Sequence, residues 1–392
     1  MQPSHLHFLI TADGQRLLQE IAQTPINSSN HLQIASRLRR QVGPTLAQAV
    51  IETVLLRQIA AAKFSRASQM LLTRPALEQA SSETVAAYRA QRFAEAGFKC
   101  IADLGCGIGG DALALSAEAD VIGIDLDQLR LLMARHNVQA YGHGERFFPV
   151  QADLMALPVI PCQALFFDPA RRDETGRRLH SVALYRPPLA LVDRWRLQIP
   201  HAAVKISPAV DYEELPADAE TEFISLAGEV KEAILWYGDL RQGTERKATL
   251  LPGRNSLSTA DFPGQDVPVT QPAAYLYEPD GAVIRAHLVQ TVARHLNAAQ
   301  IDPQIAYLTS DKKVETPFAR RFTLETWFPF QLKRLRQYLR SRNVGQVTIK
   351  KRGSPLEPEF LRRQLRLRGD QQRILFLTHV KGNPAVIIAF EP

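Results

Sequence analysis

Apolar residues recur at intervals of three and four through residues 1–94, as in "LAQAVIETVLLRQIAAAKF", and few glycines or β-branched runs interrupt them. That spacing predicts helices. "SSETVAAYRAQRFAEAG" predicts a capped one: Ser81 or Ser82 can accept from the first free N–H groups, Glu83 falls in the first turn, and Gly97 offers a stop. From Lys99 the texture changes to short apolar runs separated by helical stretches: "CIADLG", "DVIGIDL", "RFFPVQADL", "ALFFDPA" and "AAVKISP". This alternation predicts a parallel sheet covered by helices. "KEAILWYGDL" and "ERKATLLPG", joined by the turn-prone "RQGT", predict an antiparallel pair at its end.

Residues 252–271 carry Pro, Gly, Ser and Asp without periodicity and predict a linker or long surface loop. A smaller mixed region follows, with strands at "AYLYEP", "RILFLTHV" and "AVIIAFE", helices at "AHLVQTVARHLN", "FQLKRLRQYLRS" and "EPEFLRRQLRL", and the stretch "QVTIKKRG" between the last two helices. In the second of these helices Leu332, Leu335, Tyr338 and Leu339 share a face, which leaves Lys333, Arg334, Arg336 and Arg340 outward. The predicted organisation is a helical region (1–94), an α/β domain (95–251), the linker (252–271) and an α+β region (272–392).

Composition sharpens this only where it is uneven. Hydrophobic residues at 45% and charged residues at 22% are ordinary for globular domains. The net charge of +7 is concentrated: residues 311–373 hold 17 Lys or Arg against 6 Asp or Glu, so the rest of the chain is net acidic. An anionic partner is therefore expected at the C-terminal region. The three cysteines, Cys100, Cys106 and Cys162, form no C-x-x-C pair, so neither a disulfide framework nor a metal site is expected. The start "MQPSHLHFLITADG" lacks a secretory pattern and no long apolar run occurs, which predicts a cytoplasmic protein without a membrane span.

"CIADLGCGIGGDALALSAEADVIGIDLD" carries the most chemistry. A strand ending at Asp103-Leu104 runs into a glycine loop with Gly105, Gly107 and Gly109, where a ligand can approach bare backbone. The G-x-G-x-x-G spacing and Asp125, 20 positions after Gly105, suit any adenosine cofactor, NAD included. Asp103 tips the choice. A carboxylate before the loop repels a pyrophosphate and attracts the ammonium of S-adenosylmethionine. Asp153 ends the next strand, where it can accept from an adenine amine, and Asp168 ends the one after that.

Residues 99–250 resemble the class I S-adenosylmethionine-dependent methyltransferases through "DLGCGIGG", Asp125, Asp153 and the Asp-Pro of the fourth strand. More narrowly, "KFSRASQMLLTRPALEQAS", "CGIGGDALALS", "FFDPARR" and "KKRGSPLEPEFLRRQLRLRGD" are similar to the bacterial methyltransferase group with a C-terminal THUMP-like domain. The resemblance implies a Rossmann-like α/β fold with a seven-stranded sheet whose last strand is antiparallel. It also implies S-adenosylmethionine as cofactor, held by Asp103, Gly105, Gly107, Gly109, Asp125, Leu126, Asp153 and Asp168.

In related base-modifying enzymes an acid or amide followed by Pro-Pro and an aromatic residue accepts a hydrogen bond from the target amine. Asp168 and Pro169 match the start of that pattern, but Ala170 and Arg171 replace the second proline and the ring. Stacking is then expected from Phe167, Tyr185, Trp195 or Trp236, or from an arginine guanidinium instead, and contact with a phosphate or another anion from Arg171 and Arg172. His136 and Asn137 read as surface or helix-end residues, and Lys205 as a solvated lysine at a strand end. With Lys350, Lys351 and Arg352 in the basic region, the expected activity is N-methylation of a base amine in tRNA or rRNA. The alternatives are a small-molecule or protein methyltransferase and a non-catalytic RNA-binding protein that retains the cofactor pocket.

Overall fold

The computed structural model describes residues 2–157, 160–170 and 181–390, with the side chain of Ala183 excepted. Two compact units emerge: residues 1–219 with 234–242, and residues 220–233 with 243–392.

The first unit begins with helices α1 (Pro3–Ile10), α2 (Ala12–Ala22), α3 (His31–Val42), α4 (Pro44–Ala60), α5 (Arg74–Gln79) and α6 (Glu83–Glu95). Their three-and-four apolar spacing is explained by burial: Leu17, Leu18, Ile21, Leu38, Val50 and Val54 lie in the core. Helix α6 stops at Gly97, which takes φ +83° while the Phe98 N–H donates to the Phe93 carbonyl at 3.3 Å. Its N-terminus differs from expectation, since the Ser82 hydroxyl at the N-cap accepts from no N–H of the first turn and the Ser81 hydroxyl is engaged elsewhere.

Strands and helices then alternate: β1 (Cys100–Leu104), α7 (Ala112–Glu118), β2 (Asp120–Asp125), α8 (Gln128–Ala140), β3 (Phe147–Gln151), β4 (Ala164–Phe167), α9 (Leu191–Arg196) and β5 (His201–Ile206). Strand β6 (Glu220–Leu226) and strand β7 (Glu229–Trp236) follow, then β8 (Arg246–Leu251) and β9 (Asn255–Ser258). The sheet order is β3-β2-β1-β4-β5-β7-β6-β8-β9. Nine strands replace the expected seven, because β8 joins β6 in parallel and β9 folds back on β8.

The antiparallel pair also falls one strand earlier than predicted. Ala227 and Gly228, at φ +52° and +83°, form a two-residue turn between β6 and β7, a loop too short for any but an antiparallel return. "RQGT" closes no hairpin, as β7 and β8 are not neighbours. Residues 252–271, read as a linker, contain β9.

The second unit continues with β10 (Tyr275–Pro279), α10 (Gly281–Arg285), α11 (Val289–Leu296), β11 (Ala299–Asp302), β12 (Ile305–Ser310), β13 (Ala319–Pro329), α12 (Leu332–Ser341), β14 (Val344–Lys351), α13 (Pro358–Leu365), β15 (Gln371–Val380) and β16 (Asn383–Ala389). Its strands from β10 onward form a sheet in the order β11-β12-β10-β13-β16-β15-β14. One face packs Tyr307, Phe322 and Phe376; against the other, Leu335 and Leu339 of α12 and Leu361 and Leu365 of α13 bury themselves on Leu375 and Ile388. No helix among the described residues is long and apolar enough to cross a membrane.

Candidate active site

Strands β3, β2, β1, β4 and β5 pair in parallel, so their carboxyl ends share one edge. In such sheets that edge is where ligands bind. Asp103 lies next to the last residue of β1, 1% exposed, and no donor among the described residues reaches either of its carboxylate oxygens. Burial pushes its pKa well above the usual carboxylate range; Asp111, Asp168 and Asp125 push the same way, and Arg89 opposes them. A buried, unsatisfied carboxyl group is costly. An arriving ammonium would relieve that cost.

The glycine loop leaves β1 with Gly105, Gly107 and Gly109 all at positive φ. A Cβ at Gly107 would meet nothing, so its backbone faces open space, whereas one at Gly109 would come within 3.2 Å of Ala134 on α8. Asp125, at the end of β2, accepts from the Gly107 N–H at 3.0 Å and the Asp127 N–H at 2.9 Å, one on each oxygen. Each oxygen keeps a lone pair, a pattern suited to the two hydroxyls of a ribose. Leu126 beside it is 67% exposed. Asp153, exposed after β3, uses one oxygen to accept from the Met155 N–H at 2.9 Å and keeps the other. These residues fit S-adenosylmethionine, with a carboxyl group for its ammonium, bare backbone for its approach and carboxylates for its ribose and adenine.

The N-terminal segment packs on this loop. Asn137, expected at the surface, is fully buried: its Oδ1 accepts from the Leu71 N–H at 2.7 Å, and its Nδ2 donates to the Leu71 and Ile108 carbonyls, each at 3.0 Å. His136 contacts the Gln69 carbonyl at 3.1 Å. Asn137→Ala strands three buried backbone groups and is expected to cost roughly 2 to 4 kcal/mol, read as a lower urea midpoint. Asn137→Asp should be no better, since it turns a second oxygen toward two carbonyls. A midpoint unchanged in both variants would contradict this.

Asp168 follows β4, and the register pairs Phe167 with Val204, which brings the next residue of β5, Lys205, level with it. Lys205 is 3% exposed, not solvated as expected. Its Nζ donates to Asp168 Oδ2 at 2.6 Å and to the Ser81 hydroxyl oxygen at 3.1 Å. That oxygen also accepts from Arg89 at 2.8 Å, and its proton goes to Asp111 Oδ2 at 3.3 Å. Arg89, which bonds Asp111 as well, lies over the Phe166 ring at 5.1 Å. The sequence reading missed this chain of Arg89, Asp111, Ser81 and Lys205. The one available signal was a lysine inside the apolar run "AAVKIS".

Pro169 is buried, and Ala170 forms a bridge with Arg186. Arg171 and Arg172 lie outside the described residues. Phe167, Tyr185, Trp195 and Trp236, expected as stacking surfaces, are core residues at 1%, 1%, 7% and 0% exposure. Phe167 meets Trp195 edge-on, and the Tyr185 hydroxyl accepts from the Ser207 N–H at 3.0 Å.

In the second unit the three cations expected at the substrate have internal partners. Lys350 pairs with Glu278, Lys351 with Glu357, and Arg352 donates to the Ala306 carbonyl at 2.6 Å while lying 4.7 Å from the Tyr307 ring centre. Lys333 and Arg340 on α12, with Arg363, Arg366 and Arg368 on and after α13, are exposed. Arg336 turns inward onto the Gln364 carbonyl at the end of α13.

The chain is similar to several known proteins. Residues 98–190 match a family described as RNA cap guanine-N2 methyltransferase, residues 319–391 a THUMP domain-like family, and residues 3–60 a domain of unknown function. A crystal structure described as a methyltransferase from Porphyromonas gingivalis W83 is 23% identical, with a TM-score of 0.73 over 93% of this chain and 99% of that one. It shares the fold. An uncharacterized S-adenosylmethionine-dependent methyltransferase of Mycobacterium tuberculosis is 37% identical over 347 residues, which span 84% of this chain and 92% of that protein. The chain belongs to the S-adenosylmethionine-dependent methyltransferases, in the group with a THUMP-like C-terminal domain.

Proposed function

We propose that this enzyme N-methylates an exocyclic base amine in a structured RNA, tRNA or rRNA. The observation that carries the reading is Asp168: Lys205 occupies Oδ2, and Oδ1 has no hydrogen-bond partner among the described residues. A carboxylate with one oxygen tethered and one free is an acceptor for a donor such as an amine. The likeness of residues 98–190 to an RNA guanine-N2 methyltransferase family supports an amine target, and the exposed cations of α12 and α13 support a phosphate backbone.

In this reading Asp103 takes the cofactor's ammonium, Asp125 its ribose, and Asp153 and Leu126 its adenine. The bound cofactor supplies an electrophilic methyl group on sulfur. The amine nitrogen would take that methyl group with its lone pair, the cofactor would leave as the neutral thioether S-adenosylhomocysteine, and the amine proton would pass to solvent. Asp168 holds the amine in line and stabilises the positive charge that grows on nitrogen. Arg171 and Arg172, with the basic face of the second unit, would contact phosphates.

Mass spectrometry of nucleosides from total RNA, with and without the gene, is the direct test. One methylated nucleoside should vanish on deletion and return with the wild-type gene. Identical profiles in every RNA fraction would end the RNA reading.

A further inference from the structure

We infer that Lys205 is a positioning residue for methyl transfer: with Ser81 it fixes the Asp168 carboxylate so that only Oδ1 is offered to the substrate. The inference rests on the reading of Asp168 as the amine acceptor. It adds a role for a strand lysine and for a serine that precedes α6.

A carboxyl group on a strand end can rotate about its Cβ–Cγ bond, and an acceptor that rotates gives up part of its orienting effect. Lys205 prevents this. Its ammonium has three protons, of which one goes to Asp168 Oδ2 and one to Ser81. Ser81 in turn is saturated: its oxygen accepts from Lys205 and Arg89, and its proton is committed to Asp111. Arg89 is itself held by Asp111 and by the face of Phe166, the residue before the last of β4. The ammonium is therefore gripped from the N-terminal segment and cannot follow Asp168 if that side chain turns.

Burial separates this arrangement from a surface ion pair. The Lys205 side chain is 4% exposed and that of Asp168 22%, so the lysine end is the fixed one and the carboxylate is the end that meets the opening. The charge balance points the same way. Asp111 and Asp168 both push the Asp103 pKa upward, and the Arg89 and Lys205 cations pair with Asp111 and Asp168 at this edge.

The test follows transfer of tritium from labelled S-adenosylmethionine to total RNA from cells lacking the gene, using the full-length protein. Lys205→Met is expected to lower kcat about 10²-fold, with half-saturation by RNA and binding of S-adenosylhomocysteine both within about threefold of wild type. Lys205→Met combined with Asp168→Asn should be no slower than Asp168→Asn alone, because the lysine acts through that carboxylate.

Lys205→Gln keeps a donor without the charge and guards against a Lys205→Met protein that does not fold; its loss should be about tenfold. Full activity in Lys205→Gln or Lys205→Met overturns the assignment, as does a double variant whose two losses multiply. A merely structural lysine would lower thermal stability and leave kcat of the folded fraction intact, which likewise overturns it. Wild-type protein that labels no RNA at all removes the reading of the preceding section, and this one falls with it.

Discussion

Asp168→Asn is expected to lower methyl transfer to RNA about 10³-fold in kcat while S-adenosylhomocysteine binds as it does to wild type. The magnitude follows from charge. A carboxylate about 4 Å from a nitrogen that becomes cationic gains roughly 4 kcal/mol at an effective dielectric of 20, and each 1.4 kcal/mol is about tenfold in rate. Asparagine leaves an oxygen in place but removes that charge. S-adenosylhomocysteine lacks the sulfonium, so its binding loses no direct charge contact and senses Asp168 only weakly, through Asp103.

Asparagine is the informative substitution because Lys205 is buried. Alanine would strand an ammonium without its anion, at a cost of several kcal/mol, and confuse catalysis with folding. Asparagine still accepts from Nζ. The measurement is single-turnover labelling beside calorimetric binding of S-adenosylhomocysteine. A variant within tenfold of wild type would show that Asp168 does not orient the reacting amine.

What the sequence made legible follows from where the physics is local. The glycine loop and the acids at residues 103, 125 and 168 were readable because strand ends in a parallel sheet must gather at one edge, and short apolar runs mark those ends. The helical pattern of α12 was readable for the same local reason, with Leu335 and Leu339 buried as the spacing requires. Strand β6 escaped because Glu220 and Glu222 break up its apolar run, although both are buried in the fold. Strand β13 escaped because Arg320 and Arg321 stand side by side and its buried residues, Ala319, Phe322 and Phe328, show no period of two.

The site residues that stayed hidden depend on partners far away in sequence. Lys205 reads as solvated until the register sets it beside Asp168 and brings Ser81, 124 positions upstream, to its ammonium. Asn137 reads as a helix-end residue until Leu71 approaches it across 66 positions. No periodicity encodes such pairings. The opposite error, aromatic side chains read as stacking platforms, has a simpler cause: Phe167, Tyr185, Trp195 and Trp236 have enough apolar surface to be worth more in the core.

Cofactor binding is expected to release a proton, and Asp103 is its source. In the free protein, burial and then the neighbouring Asp111 and Asp168 raise its pKa, so the carboxyl group holds its proton at a pH where an exposed aspartate would not. An ammonium placed against it reverses the balance and the proton leaves. Affinity for S-adenosylmethionine should therefore weaken as pH falls below the raised pKa, by up to about tenfold per unit for one proton, and level off above it.

Stability of the free protein runs the other way. A group whose folded pKa is raised contributes stability that is fully present below its unfolded pKa and is lost as pH rises through the folded one. Asp103→Asn has nothing to titrate there. The variant should bind the cofactor about 10²-fold more weakly with a flat pH profile, and, without ligand, should resist heat at alkaline pH better than wild type. Titration calorimetry in two buffers of different ionisation enthalpy counts the protons. Equal binding heats in both buffers for wild type, or a pH slope that survives in Asp103→Asn, would move the ammonium to another carboxylate.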